Sequence, residues 1–198
     1  MPQMTITTRA SVLGKTIEVD QTITADSSVI VDPSLAPAKS GTLTTRTDAN
    51  TGTLTMSTGH GITTGARLDV YWATGYRYGM TVGTVSTNSV PIDGGAGDDL
   101  PTANTAIVAM VPQLETLTID DTDDVQGMAV TCRSKALAVF RDATDATILA
   151  AEVTTGSDYL WDGSGTVPLG ASNDVKDVYL SHADTANTRQ INVAILRN

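Results

Sequence analysis

Gly41-Thr-Leu-Thr-Thr-Arg-Thr47 and Gly52-Thr-Leu-Thr-Met-Ser-Thr58 alternate apolar and hydroxyl residues at period two. The glycine-rich turn Gly59-His60-Gly61-Ile62-Thr63-Thr64-Gly65 follows, and then the run Arg67-Leu-Asp-Val-Tyr-Trp72. Alternation between glycine-punctuated turns is the pattern of half-buried antiparallel strands. Further strands are expected near 77–86, 89–93 and 105–111. The stretch from Thr42 to Pro112 therefore reads as a small β-barrel spliced into another domain. Asp93-Gly-Gly-Ala-Gly-Asp-Asp-Leu-Pro101 is expected to be a loop, because its glycines and aspartates are poor ladder residues.

On either side of this insert the chain carries shorter strand signals. Before it come Leu13 to Val19, Gln21 to Thr24 and Ser28 to Asp32, with turns expected at Asp20 and at 25–27. The Pro-rich connector Asp32-Pro-Ser-Leu-Ala-Pro-Ala-Lys-Ser-Gly41 follows, its prolines pressing the preceding residues into extended geometry. After it come Thr116–Ile119, Gly127–Cys132, Ala136–Phe140, Thr147–Val153, Val175–Leu180 and Gln190–Leu196. Thr144 to Glu152 has helix-forming alanines, but Thr147-Ile148 and the flanking turn residues favour a strand. Strands at intervals of about 8–12 residues with turns between them predict a sandwich or barrel. The expected fold is all-β: a discontinuous β-sandwich, about 1–40 plus 113–198, with an inserted small β-barrel at about 41–112. The apolar last strand, Ile191 to Leu196, must be paired and covered, within the sandwich or by a neighbouring subunit.

Composition agrees. Of 198 residues, 40% are apolar, threonine supplies about one in six, and there is one Phe, so a β-branched and aliphatic core is implied. The net charge of −10, from 22 acidic and 12 basic residues, opposes binding of the free subunit to nucleic acid or to anionic membranes. The single cysteine, Cys132, allows no internal disulfide and is expected to be a small buried hydrophobe. Met1-Pro-Gln-Met-Thr-Ile6 has neither the basic nor the apolar region of a secretory signal, and no apolar run approaches the roughly 18 residues of a membrane-spanning helix. Synthesis in a cytoplasm is the expectation.

Candidate chemistry is sparse. His60, between two glycines, suits turn packing, and His182 ends a strand. With one cysteine they fall short of a zinc ligand set. Asp120-Asp121-Thr122-Asp123-Asp124 could chelate calcium through hard oxygens, as could Asp93, Asp98 and Asp99, but the EF-hand glycine and glutamate are missing; solvated turns are the simpler role. Gly94-Gly-Ala-Gly97 is followed by aspartates, not by the Lys-Ser/Thr of a phosphate loop. No serine has a nucleophile-elbow context. No cofactor, metal or enzymatic activity is expected. Tyr71, Trp72, Tyr76 and Tyr78 gather within eight positions. Their simplest role is that alternate rings fill the barrel core and the others its rim. Exposed, they would serve a protein partner, or a sugar in a carbohydrate- or receptor-binding module.

Gly59-His60-Gly61-Ile62-Thr-Thr-Gly65-Ala-Arg-Leu-Asp-Val70 resembles a motif of small barrel modules in tailed-bacteriophage virion proteins. In that motif Gly65 supplies the positive φ of the turn, and Leu68 and Val70 face the core. Phage forms often carry an acidic residue where this chain has Ala66. Val178 to Leu196 is similar to the closing hairpins of phage particle proteins. The resemblance implies a non-enzymatic structural subunit located in the virion. First among its roles is a capsid decoration (cement) protein, partnered by the major capsid protein or other virion subunits and by copies of itself. A tail-tube or neck subunit is the alternative, in which acidic residues would line a DNA conduit.

Overall fold

The computed structural model describes the chain apart from residues 1–2, 13–14, 25–26, 120–124, 165, 170–173 and 198, with side chains from residue 28 onward. It is all-β. β1 (Gln3–Val12) and β2 (Lys15–Thr24) pair as a hairpin in continuous register, from Gln3 opposite Thr24 to Val12 opposite Lys15. Asp20 lies within this ladder, opposite Thr7. The turn expected there is therefore not formed: the ladder runs unbroken through Asp20. β3 (Ser27–Val31) and the two-residue β4 (Ser34–Leu35) lead to the insert.

The insert is a closed barrel. Its strands are β5 (Lys39–Arg46), β6 (Gly52–Met56), β7 (Arg67–Trp72), β8 (Gly75–Val82), β9 (Ser89–Gly97) and β10 (Thr105–Met110), closing in the order β10-β5-β6-β9-β8-β7. Alternation decides which residues turn inward. Leu43, Leu54, Met56, Leu68, Val70, Met80 and Ile92 are at most 2% exposed and form the barrel core. On the outside, Thr44 Oγ1 lies 3.2 Å from Thr55 Oγ1 and donates to the Thr53 carbonyl at 3.0 Å. A β-branched hydroxyl residue suits both demands of such a position, extended backbone and contact with water.

β9 extends where a loop was expected, pairing Asp93, Gly94, Ala96 and Gly97 with β8. Gly94, Gly95 and Gly97 have φ of 76°, 73° and 109°, so the strand keeps its register with β8 through backbone conformations that favour glycine. Arg77, 5% exposed, secures it by donating to the carbonyls of Gly94, Gly95 and Asp98 at 2.6, 3.0 and 2.9 Å. Glycine here permits close approach as well as positive φ.

The remaining strands form two facing sheets. One has the order β11-β16-β13-β14, from β11 (Gln113–Ile119), β13 (Ala136–Arg141), β14 (Thr147–Val153) and β16 (Val175–His182). The other is β15-β12-β18-β3, from β12 (Val125–Thr131), β15 (Tyr159–Trp161) and β18 (Asn192–Arg197). Leu117, Phe140, Val178 and Leu180 of the first meet Met128, Val130, Val193 and Ile195 of the second in one core, as in a β-sandwich. The terminal strand β18 lies between β12 and β3, covered within the sandwich. β14 is a strand, as its β-branched start requires. The Pro-rich connector is pinned: β4 pairs with β17 (Arg189–Gln190), and Leu35 enters the core.

Gly94 and Gly95 offer a matched test. Both need a left-handed backbone, but a Cβ on Gly94 meets nothing within 4 Å whereas one on Gly95 lies 2.5 Å from the Tyr78 carbonyl. Gly94→Ala is expected to lose about 1 kcal/mol through conformation alone, and Gly95→Ala at least about 1 kcal/mol more by forcing β8 and β9 apart. Urea unfolding midpoints of the two variants check the order.

Candidate functional site

β7 presents two faces because its side chains alternate. Leu68, Val70 and Trp72 pack on the barrel core, while Arg67, Asp69 and Tyr71 point the other way. That outer face is set against the sheet of β11, β16, β13 and β14, where Tyr71 and Tyr78 cluster with Leu137 and Val139, flanked by Tyr76, Val108, Ala150 and Tyr179. The four rings thus divide. Tyr71 and Tyr78 are buried at 1% and 9% exposure and contact the chain's own sandwich. Tyr76 is half-buried and stacks on Tyr78 with centroids 6.3 Å apart, and Trp72 is half-buried on the barrel side. The period-two spacing announced an inward and an outward set. It carried no sign that the outward set would meet another part of the same chain.

A buried polar chain crosses this contact. Tyr71 Oη lies 2.6 Å from Ser181 Oγ, Ser181 Oγ donates to Asp69 Oδ2 at 2.5 Å, and the Gly79 N–H donates to Asp69 Oδ1 at 2.8 Å. Because Ser181 gives its proton to the carboxylate, Tyr71 donates to Ser181. Burial raises the Asp69 pKa, against the lowering effect of Ser181, Gly79, Arg67 and Arg141. Burial likewise raises Tyr71 well above the ordinary phenol value, reinforced by the Asp69 charge. Neither Asp69 nor Ser181 stood out in the sequence, since 112 positions separate them.

Two cations flank the carboxylate. The Arg67 and Arg141 guanidiniums stand 4.4 and 5.7 Å from the Tyr179 ring centroid, and both pair with Asp145, at 3.7 and 2.9 Å. Arg67 Nη2 and Arg141 Nε are buried without a hydrogen-bond partner, so the ring's π face and the Asp69 charge supply their compensation. Burial and then the neighbouring Arg141 charge lower the Arg67 pKa. At the other end of the contact Lys135 donates to the Gly75 carbonyl at 3.1 Å, pairs with Glu152 at 3.4 Å and lies 5.4 Å from the Tyr76 ring centroid.

Between this end and the barrel opens a cleft of about 290 Å³. Tyr71, Trp72, Ile107, Val108 and Ala183 line it, with Lys135 among the lining residues. Its shape and lining suit an apolar side chain of a protein partner. A larger, polar cleft of about 850 Å³ lies among Thr131, Cys132, Arg133, Asp158 and Arg189, where Arg189 is already held by the Asp184 carboxylate.

The remaining candidates have structural partners. His60 Nδ1 accepts the Ile62 N–H at 3.0 Å, so Nε2 carries the proton and donates to the Thr87 carbonyl at 3.0 Å. Gly65 has φ of 79°. His182, fully buried, accepts the Asp184 N–H at 3.1 Å and reaches the Leu35 carbonyl at 3.4 Å, and burial lowers its pKa. Cys132 is buried, 3.5 Å from Ser134 Oγ. Asp93 accepts from Thr51 and Asp98 from the Tyr76 N–H. The acidic run 120–124 lies outside the described residues. Among those described, no three His, Cys, Asp or Glu side chains converge to hold a metal, and no helix is long and apolar enough to cross a membrane. Comparison with protein-family models, with curated proteins and with solved structures finds no match to this chain.

Removing the Asp69 carboxylate tests the contact. Asp69→Ala strands the Gly79 N–H and both hydroxyls and is expected to lose about 3 kcal/mol. Asp69→Asn is expected to lose less, since its oxygen keeps Gly79 and its amide reverses the hydroxyl chain. The folded pKa of Asp69 is raised, so its contribution is complete below the unfolded carboxyl value of about 3.9 and lost as pH rises through the folded value. The wild-type advantage over Asp69→Asn is therefore larger at pH 4 than at pH 7, as urea midpoints at each pH will show.

Proposed function

We propose that this chain is a non-enzymatic structural subunit of a tailed-bacteriophage virion, acting as a capsid decoration protein that grips neighbouring capsid subunits. The cleft at the barrel–sandwich junction carries the reading. It offers an apolar recess bordered by one ammonium, the form of a socket for a partner's anchoring side chain. The acidic surface keeps the free subunit soluble, and repeated copies on a symmetric lattice multiply a modest single contact. The phage-like Gly59 to Val70 turn, with Gly65 at a positive φ and Leu68 and Val70 in the barrel core as that motif implies, supports the particle assignment. A sugar-stacking platform is disfavoured, because two of its four rings are inside.

Co-sedimentation with empty capsids, with isolated tails as the second arm, tests the proposal. Ala106 is exposed and lines the cleft, so Ala106→Glu leaves both cores intact while placing a carboxylate at the socket. Capsid binding is expected to weaken by about 10-fold or more. Binding to tails alone would move the subunit to the tube or neck. Binding to neither, or to glycans with loss on Trp72→Ala, would overturn the proposal.

A further inference from the structure

Two of the chain's 12 basic residues converge at the end of the barrel–sandwich contact opposite Lys135. Arg67 reaches that point from the start of β7 and Arg141 from the end of β13. Glycine makes the room for them. A Cβ on Gly79, whose φ is 68°, would lie 2.5 Å from Arg67 Nη2 and 3.4 Å from Arg141 Nη2. The two guanidiniums therefore stand within about 6 Å of one another, where like charges repel unless an anion lies between them.

The chain's own groups compensate this pair incompletely. The Tyr179 ring attracts both cations, but its π face is a poor substitute for an oxygen acceptor. Asp69 receives its hydrogen bonds from Ser181 and Gly79. Asp142 Oδ1 is engaged by Thr144 and Ala146. Asp177 stands opposite Arg141 in the ladder, yet among the described residues the carboxylate paired with Arg141 is that of Asp145. Arg67 Nη2 and Arg141 Nε find no acceptor from within. Asp145 reaches both cations from outside, at 2.9 Å from Arg141 Nη1 and 3.7 Å from Arg67 Nη1, and the second distance exceeds hydrogen-bond length. Its side chain is 63% exposed, and its backbone is left-handed, with φ of 65°, a conformation uncommon outside glycine.

We infer that Arg67 and Arg141 form a binding site for an oxyanion, a carboxylate or phosphate group, in which Asp145 is an exchangeable occupant. Guanidiniums present planar, paired N–H donors that match the oxygens of one such group. An oxyanion in place of the Asp145 carboxylate brings an oxygen to each Nη1, so Arg67 gains an acceptor at hydrogen-bond distance. Releasing Asp145 forfeits little, because an exposed ion pair contributes little. The Gly79 cradle is already fixed through its N–H bond to Asp69, so the donors are in place before the anion arrives. The oxyanion comes as a free ion or as an acidic side chain of a protein partner, and the site stands independently of the capsid reading.

Titrating the full chain with inorganic phosphate at constant ionic strength, with chloride as control, reads the site. The side-chain N–H resonances of Arg67 and Arg141 are expected to move with phosphate and not with chloride. Asp145→Gly removes the internal carboxylate, suits the left-handed backbone and keeps the carbonyl to which Arg141 Nη1 donates. Phosphate is expected to bind this variant about 10-fold more tightly than wild type. Arg67→Gln is expected to abolish the response, and the wild-type and Asp145→Gly comparison stands even where that variant fails to fold. No shift in Asp145→Gly at about 50 mM phosphate, an equal response to chloride, or a response that survives in folded Arg67→Gln would overturn the inference. Phosphate that releases the wild type from empty capsids assigns the oxyanion to a capsid side chain, and undiminished capsid binding assigns it to the free ion. Phosphate binding by a chain that binds no capsid would overturn the decoration role while leaving the site standing.

Discussion

Burying the Asp69 carboxylate between barrel and sandwich leaves the two bodies little freedom in how they meet. An ionised group taken out of water has to find fixed donors and opposite charge, or the folded state loses several kcal/mol. Those donors come from both bodies: Gly79 on β8 and Ser181 on β16. Sliding the barrel along the sheet by one residue, about 3.3 Å, would carry Asp69 out of reach of Ser181 and break the chain of hydroxyls. An apolar contact of Tyr71, Tyr78, Leu137 and Val139 alone would tolerate several offsets. The polar chain selects one.

The connections make this arrangement affordable. Both ends of the insert leave the sandwich side by side, with Lys39 paired to Ala109. His182 stands at that junction, its N–H near Met110 Sδ and its ring near the Leu35 carbonyl, while the Ala38 N–H donates to the Asp184 carbonyl. Two short tethers hold the barrel at high effective concentration over the sheet, so the docking surface can carry polar groups whose net contribution is small. Asp184 accepts the N–H groups of Ala186 and Asn187 and the Arg189 side chain, which hold its pKa well below the usual carboxylate range. It also fixes the loop that returns the chain to β17.

What could be read from the sequence was whatever depends on neighbours along the chain. The strands that carry Leu43, Leu54, Leu68 and Val70 were placed by alternation, and the Gly59–Gly65 turn by its glycines, because both are local properties. The ladder through Gly94 to Gly97 was not, since a β-propensity argument counts glycine as a breaker and does not see Arg77 gathering the carbonyls. Asp20 was misread for a similar reason: a charged residue suggests a turn until its partner strand is known. Asp69, Ser181 and Arg141 were invisible, as their roles exist only once the barrel is seated. The aromatic cluster was visible as a density of rings, but whether a ring on the outer face of a strand meets solvent or another sheet is a tertiary fact.

That distinction bears on where recognition sits. Turning Tyr71 and Tyr78 onto the sandwich withdraws two rings from the surface and leaves open the socket beside Trp72 and, on the far layer of the sandwich, Ile30 and Leu160. The two surfaces differ in kind. The socket is small and concave, suited to one anchoring residue, whereas Ile30 and Leu160 stand exposed at the two edges of the β15-β12-β18-β3 sheet. They lie on opposite sides of the β11-β16-β13-β14 sheet, since the barrel occupies its outer side and the second sheet its inner side. Filling one therefore leaves the other open. The seating of the barrel by Asp69 keeps the two surfaces apart.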